Sequence, residues 1–294
     1  MTLIDRNVAR KENFKSKQIT EVKDGPPIFS WIEFSLSGLC NRLCEFCPRV
    51  DTKRYPNLNK HMSIDSYSSV IKDLKTIKYK GGFIYSGFSE PILYKYLFEV
   101  IELTRKALPD NRIELVTNGD HLKKEKLLKL FATGLTQLSV SLYDGPHQIE
   151  KFKKLQKESK LSDDQFDLRY RWKKEDGYGI NITNRAGAIV MPEFNVNKLD
   201  KSLKKKCFYP FYQIMIDYDG SVLLCNHDWY KELILGNINK QSILKIWQNE
   251  ILKKTRANLA SAMRIDSPCN KCDANGTMMG AEYVKKWKKF YAKK

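Results

Sequence analysis

The stretch Gly38-Leu-Cys-Asn-Arg-Leu-Cys-Glu-Phe-Cys-Pro48 decides the fold, and it places Cys40, Cys44 and Cys47 at the spacing C-x3-C-x2-C. The other four of the seven cysteines form a second group that ends in C-x2-C: Cys207, Cys225, Cys269 and Cys272. Three thiolates can hold three irons of a cubane cluster and leave the fourth iron open for a ligand, whereas four thiolates close a cluster. The cysteines therefore divide into an open and a closed site, which indicates redox chemistry rather than a disulfide framework.

Structural zinc is the alternative for both groups, because C-x2-C spacing is common in closed tetrahedral zinc sites. For the C-terminal group, the cysteines alone do not separate zinc from iron. The N-terminal loop supplies three thiolates, and the nearest fourth ligand, His61, has no tight spacing to recommend it. The N-terminal triad therefore favours an iron-sulfur cluster.

The triad has an aromatic residue, Phe46, just before its third cysteine, and it resembles the signature of the radical S-adenosylmethionine (SAM) superfamily. The segment Tyr85-Ser-Gly-Phe-Ser-Glu-Pro91 is similar to the glycine-rich segment of that family that ends in Gly-Glu-Pro, with Ser89 in place of the usual glycine. The resemblance implies that the open iron of a [4Fe-4S] cluster chelates SAM. One electron then breaks the C–S bond to give a 5′-deoxyadenosyl radical.

The same resemblance implies eight SAM-binding positions: Phe46, Gly87, Ser89, Glu90, Thr117, Asn118, Ser141 and Arg169. Phe46 is expected to pack on the adenine, Glu90 to contact the amino group and Arg169 to bind the carboxylate. For the polar residues at strand ends, local capping of the backbone is an equal explanation. We assign no catalytic residue from the sequence.

The C-terminal cysteines resemble the SPASM extension of the same superfamily, in its short form with one auxiliary four-iron cluster. The resemblance rests on Cys207, Asp219-Gly-Ser-Val-Leu-Leu-Cys225, Leu235-Gly-Asn-Ile238, Ile246-Trp247 and Cys269-Asn-Lys-Cys272. The longer C-x2-C-x5-C pattern of two-cluster SPASM proteins does not occur in the sequence. The expected cofactors are therefore SAM and two [4Fe-4S] clusters, one that binds SAM and one auxiliary.

Short apolar runs alternate with segments of helical periodicity from residue 31 to about residue 170. The predicted strands are 31–35, 82–86, 113–117, 138–142 and 166–170, and Ser63, Pro109 and Gly134 mark helix ends. Such alternation implies parallel strands with right-handed crossovers. The resemblance narrows this to an α/β fold, a partial (β/α)6 TIM-type barrel with a small C-terminal cysteine-rich SPASM domain.

Three further residues have open interpretations. Of Arg169 and Arg171, we expect only one to face the barrel interior, and we choose Arg169. Arg185 either holds an anionic substrate or belongs to a surface turn. His227 follows Cys225 closely and either tunes the auxiliary cluster or, as we expect, is an ordinary surface histidine.

The net charge of +18 and the pI near 9.4 predict a positive surface field. This field suits phosphorylated or acidic partners, including a flavodoxin- or ferredoxin-type electron donor. No run approaches the about 20 apolar residues that span a bilayer, and the N-terminus has no signal-peptide core. Cysteines that are spaced for metal binding rather than for disulfide pairing suit a reducing cytoplasm. We therefore expect a cytoplasmic protein with no membrane partner. The basic segment 285–294 is expected to be a frayed tail, the alternative being an amphipathic docking helix.

The chemistry expected is a net oxidation, because every cysteine is assigned to a cluster and no thiol is left to donate hydrogen for an epimerisation. The auxiliary cluster is then the natural electron acceptor. Only about 30 residues precede the first strand, too few for a peptide-recognition domain. We therefore expect a radical SAM oxidoreductase that acts on a sugar, aminocyclitol or nucleotide-linked substrate. A ribosomal-peptide maturase and, more remotely, a zinc-stabilised nucleic-acid-binding protein are the alternatives.

Domain limits follow from the loss of strand–helix alternation after residue 200. The prediction divides the chain into an N-terminal extension (1–30), a radical SAM partial barrel (31–200), an auxiliary-cluster domain (201–280) and a basic tail (281–294).

Overall fold

The computed structural model describes residue 20, residues 22–23 and residues 25–292. Most of the predicted N-terminal extension, residues 1–30, therefore lies outside the described residues. Within the described part, a twisted mixed sheet forms the centre of the molecule, and helices cover one face of it.

The central sheet has eight strands in the spatial order β10-β9-β8-β1-β4-β5-β6-β7. Their bounds are β1 Trp31–Phe34, β4 Gly82–Tyr85, β5 Ile113–Thr117, β6 Gln137–Leu142, β7 Phe166–Tyr170, β8 Gln213–Ile216, β9 Ser221–Leu223 and β10 Ile234–Asn237. The six strands from β8 to β7 are parallel, and β9 and β10 extend the sheet in antiparallel fashion. A separate two-stranded ribbon pairs β2 (Ser37–Gly38) with β3 (Leu58–His61).

Helices connect the parallel strands. They are α1 Ile64–Thr76, α2 Leu97–Ala107, α3 Lys124–Ala132 and α4 His147–Glu158, followed by α5 Tyr209–Tyr212, α6 Ile243–Trp247, α7 Glu250–Ala260 and α8 Ala281–Tyr291. Ser63 caps α1, and its side chain accepts a hydrogen bond from the Ser66 N–H. Gly134 follows α3 with φ +116°, as predicted for a C′ glycine.

The predicted α/β fold with a partial (β/α)6 barrel is confirmed, because six parallel strands line one concave face. Each of the five predicted strands lies within one residue of its expected ends. The sixth parallel strand, β8, was not predicted. It lies beyond residue 200 and pairs with β1, so the barrel sheet continues into the segment that carries the second cysteine group.

The C-terminal segment differs from its expectation. It is helix α8, whose Tyr283, Val284 and Trp287 are buried, so the prediction of a frayed tail was wrong. The Arg256 guanidinium lies between the rings of Trp247 and Trp287, at 4.1 and 3.8 Å from their centroids. These apolar and cation–π contacts outweigh the charge of the flanking lysines. Among the described residues, no helix has the length and apolar character needed to cross a bilayer.

Candidate functional site

A cavity of about 390 Å³, called here the inner cavity, opens at the carboxyl ends of the parallel strands. In barrels of alternating strands and helices, this end carries the chemistry. All three N-terminal cysteines and all eight predicted SAM-binding residues line the inner cavity. The structure therefore brings together every residue that the sequence placed in the open site.

The cysteine loop follows β1 and forms one wall of this cavity. Burial, with the neighbouring Cys47 and Cys40 thiols, raises the pKa of Cys44 to about 12, and burial also raises the pKa of Cys40 and Cys47. Because metal-bound thiols must be deprotonated, metal binding at these cysteines would release their protons. Among the described residues, no three Cys, His, Asp or Glu side chains converge closely enough to hold one metal ion. The three cysteines nevertheless share one wall of the inner cavity, as the ligands of a single cluster must.

Arg42, inside the loop, connects it to the ends of two strands. Its guanidinium lies 2.5 Å from Asp120 Oδ1, after β5, and 2.7 Å from Asp144 Oδ1, after β6. The neighbouring Asn41 donates from Nδ2 to Asp120 and accepts from Asn118 Nδ2. These polar contacts fix the loop over the open end of the barrel. They were missed in the sequence, because Asp120 and Asp144 are distant from the loop along the chain.

Phe46 lies among aromatic rings. Its ring is nearly parallel to that of Tyr143, with centroids 6.2 Å apart, and it contacts Tyr178 at 4.7 Å. Phe46 is thus held by packing and still lines the inner cavity. This placement is compatible with the expected adenine contact and equally with a purely structural role in which Phe46 packs the cysteine loop.

The segment after β4 brings its backbone close to the cavity. Gly87 has φ +80°, and a Cβ there would lie 2.9 Å from Met215 Cε and 3.0 Å from Ser35 Cβ, so only glycine fits without strain. The Ser35 hydroxyl lies 3.4 Å from the Ser89 hydroxyl. Ser89 therefore offers an oxygen to the cavity where the family pattern has a glycine.

Glu90 is buried at the cavity wall and bridges two strand ends. Its carboxylate accepts from the Asn118 N–H at 2.8 Å, from the Thr117 hydroxyl at 2.7 Å and from the Ile92 N–H at 3.1 Å. Burial raises its pKa to about 7, against these hydrogen bonds, which favour the ionised form. Hydrogen bonds to the nearby backbone, the alternative explanation for Glu90, Thr117 and Asn118, are therefore present. All three residues nevertheless line the inner cavity. Ser141, at the end of β6, lines the same cavity.

Arg169 and Arg171 both line the inner cavity, so the expectation that only one would do so was wrong. Arg169 lies in β7 and Arg171 directly follows it, and residues two apart in extended backbone point to the same face. The Arg171 guanidinium donates to the carbonyls of Tyr178 and Gly179. Arg169 instead keeps Nε and Nη2 buried without a hydrogen bond, although Nε lies 3.5 Å from Asp167 Oδ2. Unused buried donors at a cavity wall fit the carboxylate of a ligand.

A carboxylate that the sequence analysis missed lies on the floor of the inner cavity. Glu33, on β1, accepts from the Ser86 hydroxyl at 2.6 Å, from Asn226 Nδ2 at 3.1 Å and from Gln213 Nε2 at 3.4 Å. The side chains of Glu33, Asn226 and Gln213 all line the cavity, and Asn226 Oδ1 is buried without a partner. The sequence signal that could have identified Glu33 was an acidic residue in an otherwise apolar strand, Trp31-Ile-Glu-Phe.

The second cysteine group lines a smaller cavity behind β8, together with Arg264 and apolar residues such as Leu224 and Leu259. Arg264 is 3% exposed, and its guanidinium donates to the carbonyls of residues 205, 206, 272 and 274. Burial raises the pKa of Cys207 to about 11 and raises the pKa of Cys225 and Cys272 as well. Four thiols surrounded by core contacts fit a closed cluster.

His227 and Arg185 lie close to this second group. His227 is 6% exposed and contacts the Tyr209 ring edge-on, so the expectation of a surface histidine was wrong. Its burial lowers its pKa to about 3, which keeps it neutral. Arg185 lines the inner cavity, and its charge partly offsets the rise that burial causes in the pKa of both Cys47 and Cys272. It therefore lies between the two cysteine groups. His61 contacts Tyr94 and Asn59 instead of the cysteines.

Comparison with protein families matches the two cysteine regions separately. Residues 34–167 match the model of the radical SAM superfamily, and residues 207–273 match that of the SPASM iron-sulfur cluster-binding domain. Together the two models cover more than half of the chain.

Similar proteins agree with this division. The S-adenosyl-L-methionine-dependent 2-deoxy-scyllo-inosamine dehydrogenase of Niallia circulans is 26% identical over 84% of this chain and 93% of its own length. A GTP 3′,8-cyclase of Clostridium perfringens is 22% identical over 61% of this chain and 52% of its own length.

Solved structures show the same fold. The crystal structure of BtrN in complex with AdoMet and 2-DOIA superposes with a TM-score of 0.71 at 24% identity, covering 88% of this chain and 99% of BtrN. The structure of anSMEcpe with bound AdoMet gives a TM-score of 0.53 at 16% identity, covering 89% of this chain and 96% of that chain.

The family match, the two cysteine groups and the residues around the inner cavity agree on the cofactors, which are SAM, a SAM-binding [4Fe-4S] cluster and an auxiliary iron-sulfur cluster. The chain therefore belongs to the radical SAM superfamily and is a SPASM-type radical SAM oxidoreductase.

Proposed function

We propose that this protein oxidises a secondary alcohol of an aminocyclitol or a similar small polar substrate to a ketone. The similarity to a 2-deoxy-scyllo-inosamine dehydrogenase along most of both chains supports this substrate class. The observation that carries the proposal is the hydrogen-bonded carboxylate of Glu33 on the floor of the inner cavity. A carboxylate in a cavity binds the ammonium and hydroxyl groups that aminocyclitols carry.

Each cysteine group is assigned one cluster in this proposal. Cys40, Cys44 and Cys47 hold the SAM-binding cluster at the rim of the inner cavity. Cys207, Cys225, Cys269 and Cys272 hold the auxiliary cluster behind β8. The limits 31–200 for the barrel and 201–280 for the auxiliary-cluster unit belong to the same proposal, with β8 completing the barrel sheet.

SAM is held by the residues that line the cavity between β4 and β7. Arg169 binds the carboxylate through its unused donors, and Glu90 and Ser89 accept from the amino group. Gly87 permits close approach of the backbone, and Phe46 packs on the adenine. Three polar side chains at strand ends contact the ribose and the methionine part: Thr117, Asn118 and Ser141.

The reaction needs one hydrogen atom, one proton and one electron to leave the alcohol. When bound, SAM and the clusters supply the radical that removes a hydrogen atom from an unactivated C–H bond and an acceptor for the electron. Glu33 lies where it can take the hydroxyl proton, with Asn226 and Gln213 holding its carboxylate in place. Arg185 faces the same cavity and orients the substrate hydroxyl groups by donating hydrogen bonds.

The electron donor proposed is a flavodoxin- or ferredoxin-type protein, since such proteins are acidic and the chain carries a net charge of +18. Charge complementarity of this kind raises the rate of encounter more than the affinity. A peptide substrate was the alternative of the sequence analysis, and no contact among the described residues specifically favours it.

The test is anaerobic turnover of the reconstituted protein with SAM, dithionite and 2-deoxy-scyllo-inosamine. We expect one ketone for each 5′-deoxyadenosine formed. The isosteric variant Glu33→Gln should lower ketone formation at least about tenfold, within the range of a lost general base, and should still cleave SAM. SAM cleavage by the wild type without oxidation of any aminocyclitol or sugar would overturn the proposal.

A further inference from the structure

A second and larger cavity, called here the outer cavity, has a volume of about 830 Å³. Three residues line both cavities and form their common wall: Arg49, Phe88 and Trp229. The Phe88 and Trp229 rings lie 4.2 Å apart, and Cys47 packs against the same apolar cluster. No residue assigned to a cluster or to SAM lines the outer cavity, so the proposed chemistry leaves it unexplained.

One side of the outer cavity is aromatic. Tyr55 and Tyr230 are nearly parallel, with centroids 6.1 Å apart and an angle of 14° between their planes. Trp229 meets the Tyr55 ring edge-on at 5.3 Å, and the Arg54 guanidinium lies 4.3 Å above Tyr230. A group of flat rings with a cation beside it suits the stacking of a planar heteroaromatic ring.

The charges around the outer cavity leave positive groups unpaired. Lys231 lies 2.6 Å from Asp217, and Lys271 lies 2.6 Å from Glu232, so these lysines are neutralised. Arg54 and Lys198 are exposed at the cavity, and their side-chain nitrogens have no ion pair or hydrogen bond within the described part of the chain. Two unpaired cations beside an aromatic surface favour a ligand that carries phosphate.

Further polar partners are also available inside the outer cavity. Asp217 is 2% exposed, and its Oδ1 is buried without a hydrogen bond. The Tyr55 hydroxyl is likewise buried without a partner. Buried polar atoms are normally satisfied in the working state of a protein, so a free acceptor and a free hydroxyl here suit the hydroxyl groups of a sugar.

We propose that the outer cavity binds a nucleoside diphosphate group, which carries the sugar or cyclitol that is oxidised in the inner cavity. The base stacks on Tyr55 and Tyr230, the ribose hydroxyls donate to Asp217, and the phosphates contact Arg54 and Lys198. The role as a carrier rests on the proposed function, because the attached group must reach the inner cavity beyond the Phe88–Trp229 wall.

The test is calorimetric measurement of ligand binding to the anaerobically reconstituted protein. The protein is saturated with SAM, so that the SAM site in the inner cavity is filled, and no reductant is present, so that SAM is not cleaved. The probes are UDP, ADP, GDP, glucose 1-phosphate and inorganic phosphate. At least one nucleoside diphosphate should bind about tenfold or more tightly than either glucose 1-phosphate or inorganic phosphate, a difference in binding free energy of about 1.4 kcal/mol. The double variant Arg54→Gln, Lys198→Gln should weaken that binding about tenfold or more.

The matched control is Lys72→Gln, Lys153→Gln, which removes the same charge from exposed positions on α1 and α4. This control should bind the nucleotide like the wild type. A further variant, Tyr230→Ala, should bring the affinity for the nucleotide down to that for glucose 1-phosphate.

Three results would overturn the inference: no binding of any nucleoside diphosphate by protein that retains iron and SAM, equal binding of glucose 1-phosphate, or equal weakening by the control. Oxidation of free aminocyclitol together with any of these results would leave the proposed function intact. If a nucleotide binds at the outer cavity but no free or nucleotide-linked alcohol is oxidised, the proposed function is overturned. The idea that the nucleotide carries the substrate is then overturned with it.

Discussion

The two cysteine regions of this molecule are fixed in different ways. The N-terminal loop is held at its two margins: Arg42 pairs with Asp120 and Asp144 at the barrel rim, and the buried Arg49, after the third cysteine, donates to the carbonyls of Gly38 and Phe88. The C-terminal group is held from inside the core by Arg264, which donates to four backbone carbonyls. A site that must admit a ligand needs one open side, so its loop can be anchored only at its margins. A site that admits nothing can be enclosed by the core.

The largest expected effect comes from removing one cysteine group at a time. The triple variant Cys40→Ala, Cys44→Ala, Cys47→Ala should lose about half of the roughly eight irons and all SAM cleavage. The double variant Cys269→Ala, Cys272→Ala should also lose about half of the iron yet still form 5′-deoxyadenosine. Iron analysis and product chromatography measure both. SAM cleavage by the triple variant would contradict the assignment of the open site.

The second prediction concerns how the closed site is held. Arg264→Met removes a buried arginine and leaves four backbone carbonyls, in buried or partly buried hydrogen bonds, without this donor, so the free energy of unfolding should fall by about 3 kcal/mol or more. Denaturant titration, with iron content measured in parallel, checks this.

The matched control for Arg264 is Arg169→Met, which removes a largely buried arginine whose Nε and Nη2 make no hydrogen bond. Its cost in stability should be much smaller. Equal destabilisation by the two variants would show that buried charge, rather than carbonyl contacts, decides the effect.

The third prediction concerns the open site and uses the same Arg169→Met variant. Loss of the donors expected at the SAM carboxylate should raise the Kd for SAM about tenfold or more, since a charge-assisted hydrogen bond contributes about 1.5–3 kcal/mol. Equilibrium binding on reconstituted protein measures this. Unchanged affinity with full iron content would remove Arg169 from the SAM site.

The smallest expected effect is at the rim. Arg42→Met removes partly exposed ion pairs that contribute about 1 kcal/mol or less each, so global stability should change little. The loop should nevertheless lose iron to a chelator faster, while the auxiliary cluster is unaffected. Lys106→Met, which breaks a surface ion pair with Glu102, is the control. Equal iron loss from both variants would show that Arg42 does not fix the loop.

Much of the fold could be predicted because its signals are local. The spacing of Cys40, Cys44 and Cys47 and the alternation of short apolar runs with helical segments indicated the barrel, and five strands were placed within one residue of their ends. Strand β8 was missed, because its four residues directly follow the short helix α5, in a region where the strand–helix alternation has been lost. What makes it a barrel strand is pairing with β1, about 180 residues earlier in the chain.

The residues of the candidate site also divide into those that local sequence signals identified and those that only long-range contacts bring together. The sequence by itself determined the cysteines and the glycine-rich segment, since their spacing along one loop is fixed by covalent geometry. Only the tertiary structure decided that Glu33 meets Asn226, that Arg42 meets Asp144, and that His227 is buried. These contacts join segments far apart in the chain, and their existence depends on which faces of the strands and helices turn inward when the core packs.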